Sequence, residues 1–248
     1  MFEHQLFLNA VLSGLLLGGF YASVSIGLTI SFGQLNIVNI AHPAFVIVGS
    51  YAAYTANSGL GLDPIVSGIL FMPVFFAGGA VFYRVYHVCF EARGDDPLRG
   101  LAFFFGIMFV IEVLLIIAYG VDYRLVEAAY IGETVGYGAI TLPLRMVAPF
   151  LAALILTFGI QLFLSKTFTG RAIMAVAQDQ IAVQLMAINP TYIKQIAFGI
   201  AIMTASLAGA LLIVIGPVEP SMGRQYIGRV FAIAVLGGMG SIPGTLVA

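Results

Sequence analysis

The sequence predicts an all-α, polytopic membrane protein whose spanning helices are interrupted in two places. Three observations predict it. Hydrophobic residues make up 61% of the 248 positions and charged ones only 8%, against about 25% charged in an average soluble domain. No Asp, Glu, Lys or Arg occurs from Gln5 to Leu62, a stretch that suits two spans of about 20 residues each. The apolar runs are also continuous, whereas a β-barrel alternates in units of about ten residues. A chain this apolar must turn most of its surface to lipid or to other membrane helices.

Seven hydrophobic segments follow, within one membrane domain covering residues 1–248. The first runs over Leu6 to Ser31. MFEHQ carries no Lys or Arg before it, and the run is too long for a signal core, so no cleavable signal peptide is expected. Gly33 marks a break before the second segment, Leu35 to Ala56. Asp63-Pro64 opens a third that ends near Tyr83, and RVYHVCFEARGDDPLR forms a polar loop over 84–99. The fourth covers Gly100 to Tyr119, followed by a longer polar loop from Val121 to Arg145. The fifth covers Met146 to Ser165, and the sixth Gln195 to Ile215, ended by Gly216-Pro217. A last apolar run starts near Ile227.

Orientation follows the basic residues. Loops 84–99 and 166–194 hold Arg84, Arg93, Arg99, Lys166, Arg171 and Lys194, six of the ten Lys and Arg. These loops are therefore read as cytoplasmic, with the N-terminus outside. Small residues recur at every fourth position in Gly14/Gly18/Ala22, Gly19/Ser23/Gly27 and Ala201/Ala205/Gly209. This spacing lets helix backbones approach closely, and packing within the chain is the expected use.

Two interruptions carry the functional reading. GQLNIVNIAHPAF, from Gly33 to Phe45, places Gln34, Asn36, Asn39 and His42 before Pro43 in otherwise apolar surroundings. On a helix, Asn36, Asn39 and His42 would share an arc of roughly 120°. Polar groups at membrane depth face protein or water, so this broken segment is expected to line a solute path. LGGMGSIPG, from Leu236 to Gly244, is too rich in glycine for a regular helix and places Gly237, Gly238 and Gly240 at a second break. Irregular backbone in a membrane survives only beside protein or a water-filled cavity. A pair of interrupted segments, one in each half, points to a transport site.

The loop 166–194 is neither a turn nor a span. Arg171 to Ile188 reads as a short amphipathic helix, stopped by Asn189-Pro190, with Ala172, Val176, Val183 and Met186 among its apolar positions. Arg171 and Asp179 are its only charges, too few cations for a headgroup anchor, which favours a protein partner.

The rest of the composition excludes other classes. The net charge of -1 gives no sign of nucleic-acid binding. The single Cys89 excludes an internal disulfide and a cysteine metal cluster. His42 lies far in sequence from His4 and His87, so no metal site is expected, and no cofactor is expected in this chain. Neither a GxxxxGK[ST] phosphate loop nor a catalytic triad is present. Glu112, deep in a span, is expected to be neutral or paired within the bundle.

Three stretches resemble the permease subunits of ABC importers for branched-chain amino acids and their amide and urea relatives: YASVSIGLTISFGQLNIVNIAHPAFVIVGSY (21–51), TGRAIMAVAQDQIAVQLMAIN (169–189) and VLGGMGSIPG (235–244). Asn39-Ile40-Ala41-His42 and Gly170 to Asp179 fit the family's patterns well, while Pro43 stands where members commonly have Gly. Members also commonly continue through a further segment, so the last one is expected to be incomplete. The resemblance implies a second permease subunit, identical or homologous, two cytoplasmic ATP-binding subunits and an extracytoplasmic solute-binding protein. It implies a bacterial inner-membrane location and no enzymatic activity in this chain, with ATP hydrolysed by the partners. It also assigns Gly170, Arg171, Val176, Asp179, Val183 and Met186 to contact with the ATPase. Urea or short-amide uptake by the same machinery, or a self-sufficient channel for a small neutral solute, is the alternative.

Overall fold

A computed structural model describes residues 2–94, 97–137 and 140–248. The chain is a helical bundle built around one buried helix. In order the helices are α1 (Phe2–Leu28), α2 (His42–Leu60), α3 (Pro64–Leu70), α4 (Met72–Cys89), α5 (Pro97–Tyr119), α6 (Leu144–Lys166), α7 (Phe168–Gln178), α8 (Gln180–Leu185), α9 (Pro190–Ile215), α10 (Met222–Leu236) and α11 (Ile242–Val247). A π-helical turn, Thr29–Gln34, extends α1. Among the described residues, four helices are long and apolar enough to cross a membrane, and α3 with α4, bent by 45°, makes a fifth span if counted as one.

The bundle is organised by small residues on α9. Ala197, Ala201, Ala205, Ala208 and Ala210 are completely buried. A Cβ added at Gly209 would meet the backbone of Val46 and Ser50 on α2, and one at Gly49 would meet the backbone of Ala205 and Ser206. With no bulky side chains between them, a small hydroxyl bonds across to the facing backbone: Ser50 Oγ donates to the Gly209 carbonyl at 2.7 Å. Ser206 Oγ donates to the Gly68 carbonyl of α3 at 2.8 Å. Gly79 and Gly199 play the same part where α4 crosses α9. In hydrocarbon such close approach replaces the hydrophobic drive that water supplies elsewhere. The stripe Gly19/Ser23/Gly27 is likewise used inside the chain, against Phe150 and His42, whereas Gly14 and Gly18 meet nothing within 4 Å.

Contacts sort the loops into two ends. At one end Asn57 Nδ2 donates to the Glu127 carbonyl at 2.9 Å, and Arg124 pairs with Val218 as an isolated antiparallel bridge. At the other, Lys194 Nζ donates to Glu91 Oε1 at 2.7 Å, and Tyr83 and His87 bond Glu91 Oε2, each at 2.8 Å. Loops 84–99 and 166–194 therefore share one end, as their basic residues imply.

The structure corrects four sequence-based boundaries. Residues 35–41 are not helical, and the second segment becomes a helix only at His42. The third helix continues past Tyr83 to Cys89. The polar loop after α5 holds an antiparallel hairpin, β1 (Thr134–Tyr137) with β2 (Ile140–Pro143), that local composition did not reveal. Finally, Arg171 to Ile188 is not one helix. Asp179 leaves helical geometry and its carboxylate accepts from Ile181 N and Ala182 N, so it ends α7 and caps α8. Within the predicted loops, Asp95, Asp96, Gly138 and Ala139 lie outside the described residues.

Candidate translocation site

The first break begins in α1. Thr29 and Ser31 hydroxyls donate to the carbonyls four residues back, at 3.0 Å to Ser25 and 2.9 Å to Gly27. Such back-bonding loosens a helix, and the ladder widens into the π turn over Thr29–Gln34. Asn36 then takes a left-handed conformation, φ 55, which asparagine tolerates better than most residues. The chain re-enters helix at His42, with Pro43 in the first turn, where a missing N–H costs nothing.

His42 locks the two limbs of this break together. It is completely buried, and its Nε2 lies 3.0 Å from the Val24 carbonyl of α1. A Cβ on Gly27 would overlap the imidazole and the Ala201 carbonyl, so α1, α2 and α9 meet here. Asn39 is also completely buried, and neither of its amide atoms, nor Nδ1 of His42, has a partner among the described residues. Asn36, by contrast, is exposed. The shared helical arc expected for Asn36, Asn39 and His42 does not form, because the residues between the first two are not helical.

The second break lies against the first. The backbone ends α10 at Leu236, passes Gly238 (φ 83) and Gly240 (φ 90), and restarts at Ile242 under a Ser241 cap. Gln34 Nε2 donates to the Gly240 carbonyl at 2.8 Å. A Cβ on Gly33 would collide with the Gly240 backbone, so no other residue fits there unless the breaks separate. The hydroxyls of Thr29 and Thr245 are 2.9 Å apart, and Gly237 packs on Gly244 and Thr245. Of the sequence-predicted residues, Gln34, Gly237 and Gly240 are thus brought together, and Asn39 and His42 stand on the inner side of the first break. Gly33 was legible as a break but not as a contact. Thr29 and Thr245 carried no signal, because their partnership spans most of the chain.

Loop 166–194 folds back onto the bundle. Thr167 caps α7 by accepting from Gly170 N at 3.0 Å, and a Cβ on Gly170 would overlap the α6 backbone at Phe163 and Leu164. Val176 and Val183, expected at a partner's surface, are turned inward at 2% and 4% exposure. The outward apolar positions are Phe168, Ile181, Leu185 and Met186, with Leu185 at 85%. Arg171 and Asp179 are exposed as well. The correction has a simple cause: one continuous helix would present Val176 and Val183 with Met186, but the turn at Asp179 reorients α8. Glu112 pairs with Arg224 of α10 at 2.7 Å, within the bundle as expected.

Two interrupted segments crossing inside a helical bundle define a membrane transport subunit. Residues 10–248 match the family described as the permease component of branched-chain amino acid transport systems, and the chain belongs to that family. The high-affinity branched-chain amino acid transport system permease protein BraD of Pseudomonas aeruginosa is 28% identical, over 97% of this chain and 82% of the relative. LivH of Escherichia coli, which carries the same description, is 28% identical with the same coverage. A probable branched-chain amino acid transport permease protein, LivH of Methanocaldococcus jannaschii, is 24% identical over 90% of this chain and 72% of its own length. No solved structure matches the chain.

Proposed function

We propose that this chain forms, with a second permease subunit, the pathway by which an ABC importer carries branched-chain amino acids across a bacterial cytoplasmic membrane. Two cytoplasmic ATP-binding subunits drive it and an extracytoplasmic binding protein delivers the solute. The N-terminus lies outside, and the end holding Glu91, Lys194 and α7–α8 faces the cytoplasm. The observation that carries this reading is the contact of the two breaks at Gly33 and Gly240. Gly33 sits in the widened π turn and Gly240 outside any helix, so a modest displacement of one against the other opens or closes a path at that point. Gln34, Asn39, His42, Gly237, Gly238 and Gly240 then line or frame the path. Asn36 joins them from the exposed side.

Motion reaches that point from the ATPase through α7 and α8. Ile181, Leu185 and Met186 form the apolar contact and Arg171 fixes its register, while Val176 and Val183 fasten the loop to the bundle. A helix-in-groove contact of this kind buries a few side chains, each contributing about 1.5–3 kcal/mol. In membranes holding all subunits, Leu185→Glu should abolish co-purification of the ATP-binding subunit while the permease still inserts. Val183→Glu should instead lower the thermal stability of the permease itself, because it puts a charge under the loop. The coupling assignment fails if Leu185→Glu retains the ATPase at the unsubstituted level. The function as a whole is tested by leucine uptake in proteoliposomes of the assembled importer. Uptake must require ATP, and ATP-independent conduction of urea by the purified chain alone sinks the proposal.

A further inference from the structure

The chain's two arginines on α10 differ in one respect. Arg224 is neutralised by Glu112. No carboxylate among the described residues pairs with Arg229, whose Nη1 donates to the Tyr21 hydroxyl at 2.9 Å and whose Cζ lies 5.8 Å from the Tyr226 ring centroid. Tyr21 lies at the middle of the apolar span Phe7–Gln34, so this guanidinium sits at mid-depth in the bundle. Arg229 is nonetheless exposed, together with Arg224, Gln225 and Gly228 on the same face of α10. A charge at that depth does not face lipid, and it marks a solute path or a buried partner. Beside it an open, apolar groove of about 360 Å³ is lined by Tyr21, Arg229 and Ile233.

We infer that Arg229 holds the carboxylate of the transported amino acid midway along the path, with the aliphatic side chain laid against Tyr21 and Ile233. The chemistry matches on both sides. With Nη1 bonded to Tyr21, the remaining edge of the guanidinium is a planar fork that fits a carboxylate. Its aromatic and aliphatic neighbours offer apolar surface of the kind a branched side chain buries against. The Tyr21 hydroxyl aims the fork and the ring of Tyr226 supports the charge from one face. Beyond this site α10 is apolar from Val230 to Leu236 and ends at the glycine break, so the two breaks lie one way along the helix from Arg229. This inference rests on the importer reading, and it assigns the recognition of negative charge to one side chain that no motif contains.

The test uses the complete importer in proteoliposomes, with labelled leucine delivered by its binding protein. Arg229→Ala should lower the maximal uptake rate by about 10-fold or more, the scale of a lost hydrogen bond to a charged group. The second permease and the ATP-binding subunits should still co-purify. Arg229→Lys, which keeps the charge and loses the fork, should fall between the two. Tyr21→Phe should have a smaller effect than Arg229→Ala. The inference is overturned if Arg229→Ala takes up leucine at the unsubstituted rate. It is also overturned if that substitution separates the permease subunits, because the guanidinium is then an assembly contact. An unsubstituted importer that carries urea and not leucine overturns both this inference and the proposed substrate class. Leucine uptake untouched by Arg229→Ala overturns the inference alone.

Discussion

The two breaks solve one problem by different means. At the first, between Thr29 and Ala41, side chains hold an irregular backbone: Thr29 and Ser31 bond back along α1, and buried His42 bonds across to Val24. At the second, between Gly237 and Ser241, the backbone carries more of the work: two glycines have positive φ, and the Gly240 carbonyl accepts from Gln34 of the other break. The first break is therefore sensitive to losing atoms, and the second to gaining them. The first break is braced from within by its buried side chains, His42 above all. A glycine-held break is thin enough to sit against another backbone, which suits the moving partner of a gate.

The crossing itself is where the largest effect is expected. Gly33→Val adds a branched side chain where even a Cβ overlaps the Gly240 backbone. Overpacking costs about 1–3 kcal/mol, and more where backbone must shift. The expected result is poor recovery of monodisperse protein and no uptake. A well-folded Gly33→Val protein would show that the two breaks separate easily.

His42→Ala comes next. It removes a completely buried ring and its bond to Val24 at the junction of three helices, a loss of about 1–3 kcal/mol. Thermal unfolding in detergent should register this as a lower midpoint. An unchanged midpoint would mean that the side chains do not hold the first break.

Gly240→Ala probes the second break in the opposite sense. A left-handed conformation costs a residue with a Cβ about 1–2 kcal/mol, at a φ of 90. Because α10 and α11 continue on either side, uptake should fall further than stability does. Equal losses in both measurements would place Gly240 in the scaffold instead of the gate.

The smallest effect belongs to Gln34→Ala, which deletes the half-buried bond to the Gly240 carbonyl, about 0.5–1.5 kcal/mol. With that latch gone, ATP hydrolysis in the absence of the binding protein should rise. No change in basal hydrolysis would remove Gln34 from the gate and leave it a packing residue.

Legibility followed the range of the physics. Both breaks were readable because their causes are local: glycine and proline weaken helices wherever they occur, and polar side chains in an apolar run are conspicuous. The helix boundary at His42 and the split at Asp179 were missed for a related reason. Asn and Asp read as ordinary polar positions until their backbone leaves the helix, and then they become turn and cap residues. Val183 and Leu185 could not be sorted at all, because two apolar side chains two residues apart look alike until a surface covers one of them.

What the sequence determined by itself was the medium and the material: an apolar chain that must span lipid, small residues that let helices touch, and two places where helix must stop. What only the tertiary structure decided was which surfaces meet. Gly33 lies against Gly240, Thr29 beside Thr245, Glu112 with Arg224, and Arg229 with Tyr21. The reason is that helix propensity and hydropathy are set by near neighbours along the chain. A contact between distant segments depends on how every intervening helix packs, and inside a membrane the apolar residues that face lipid and those that face protein carry the same local pattern.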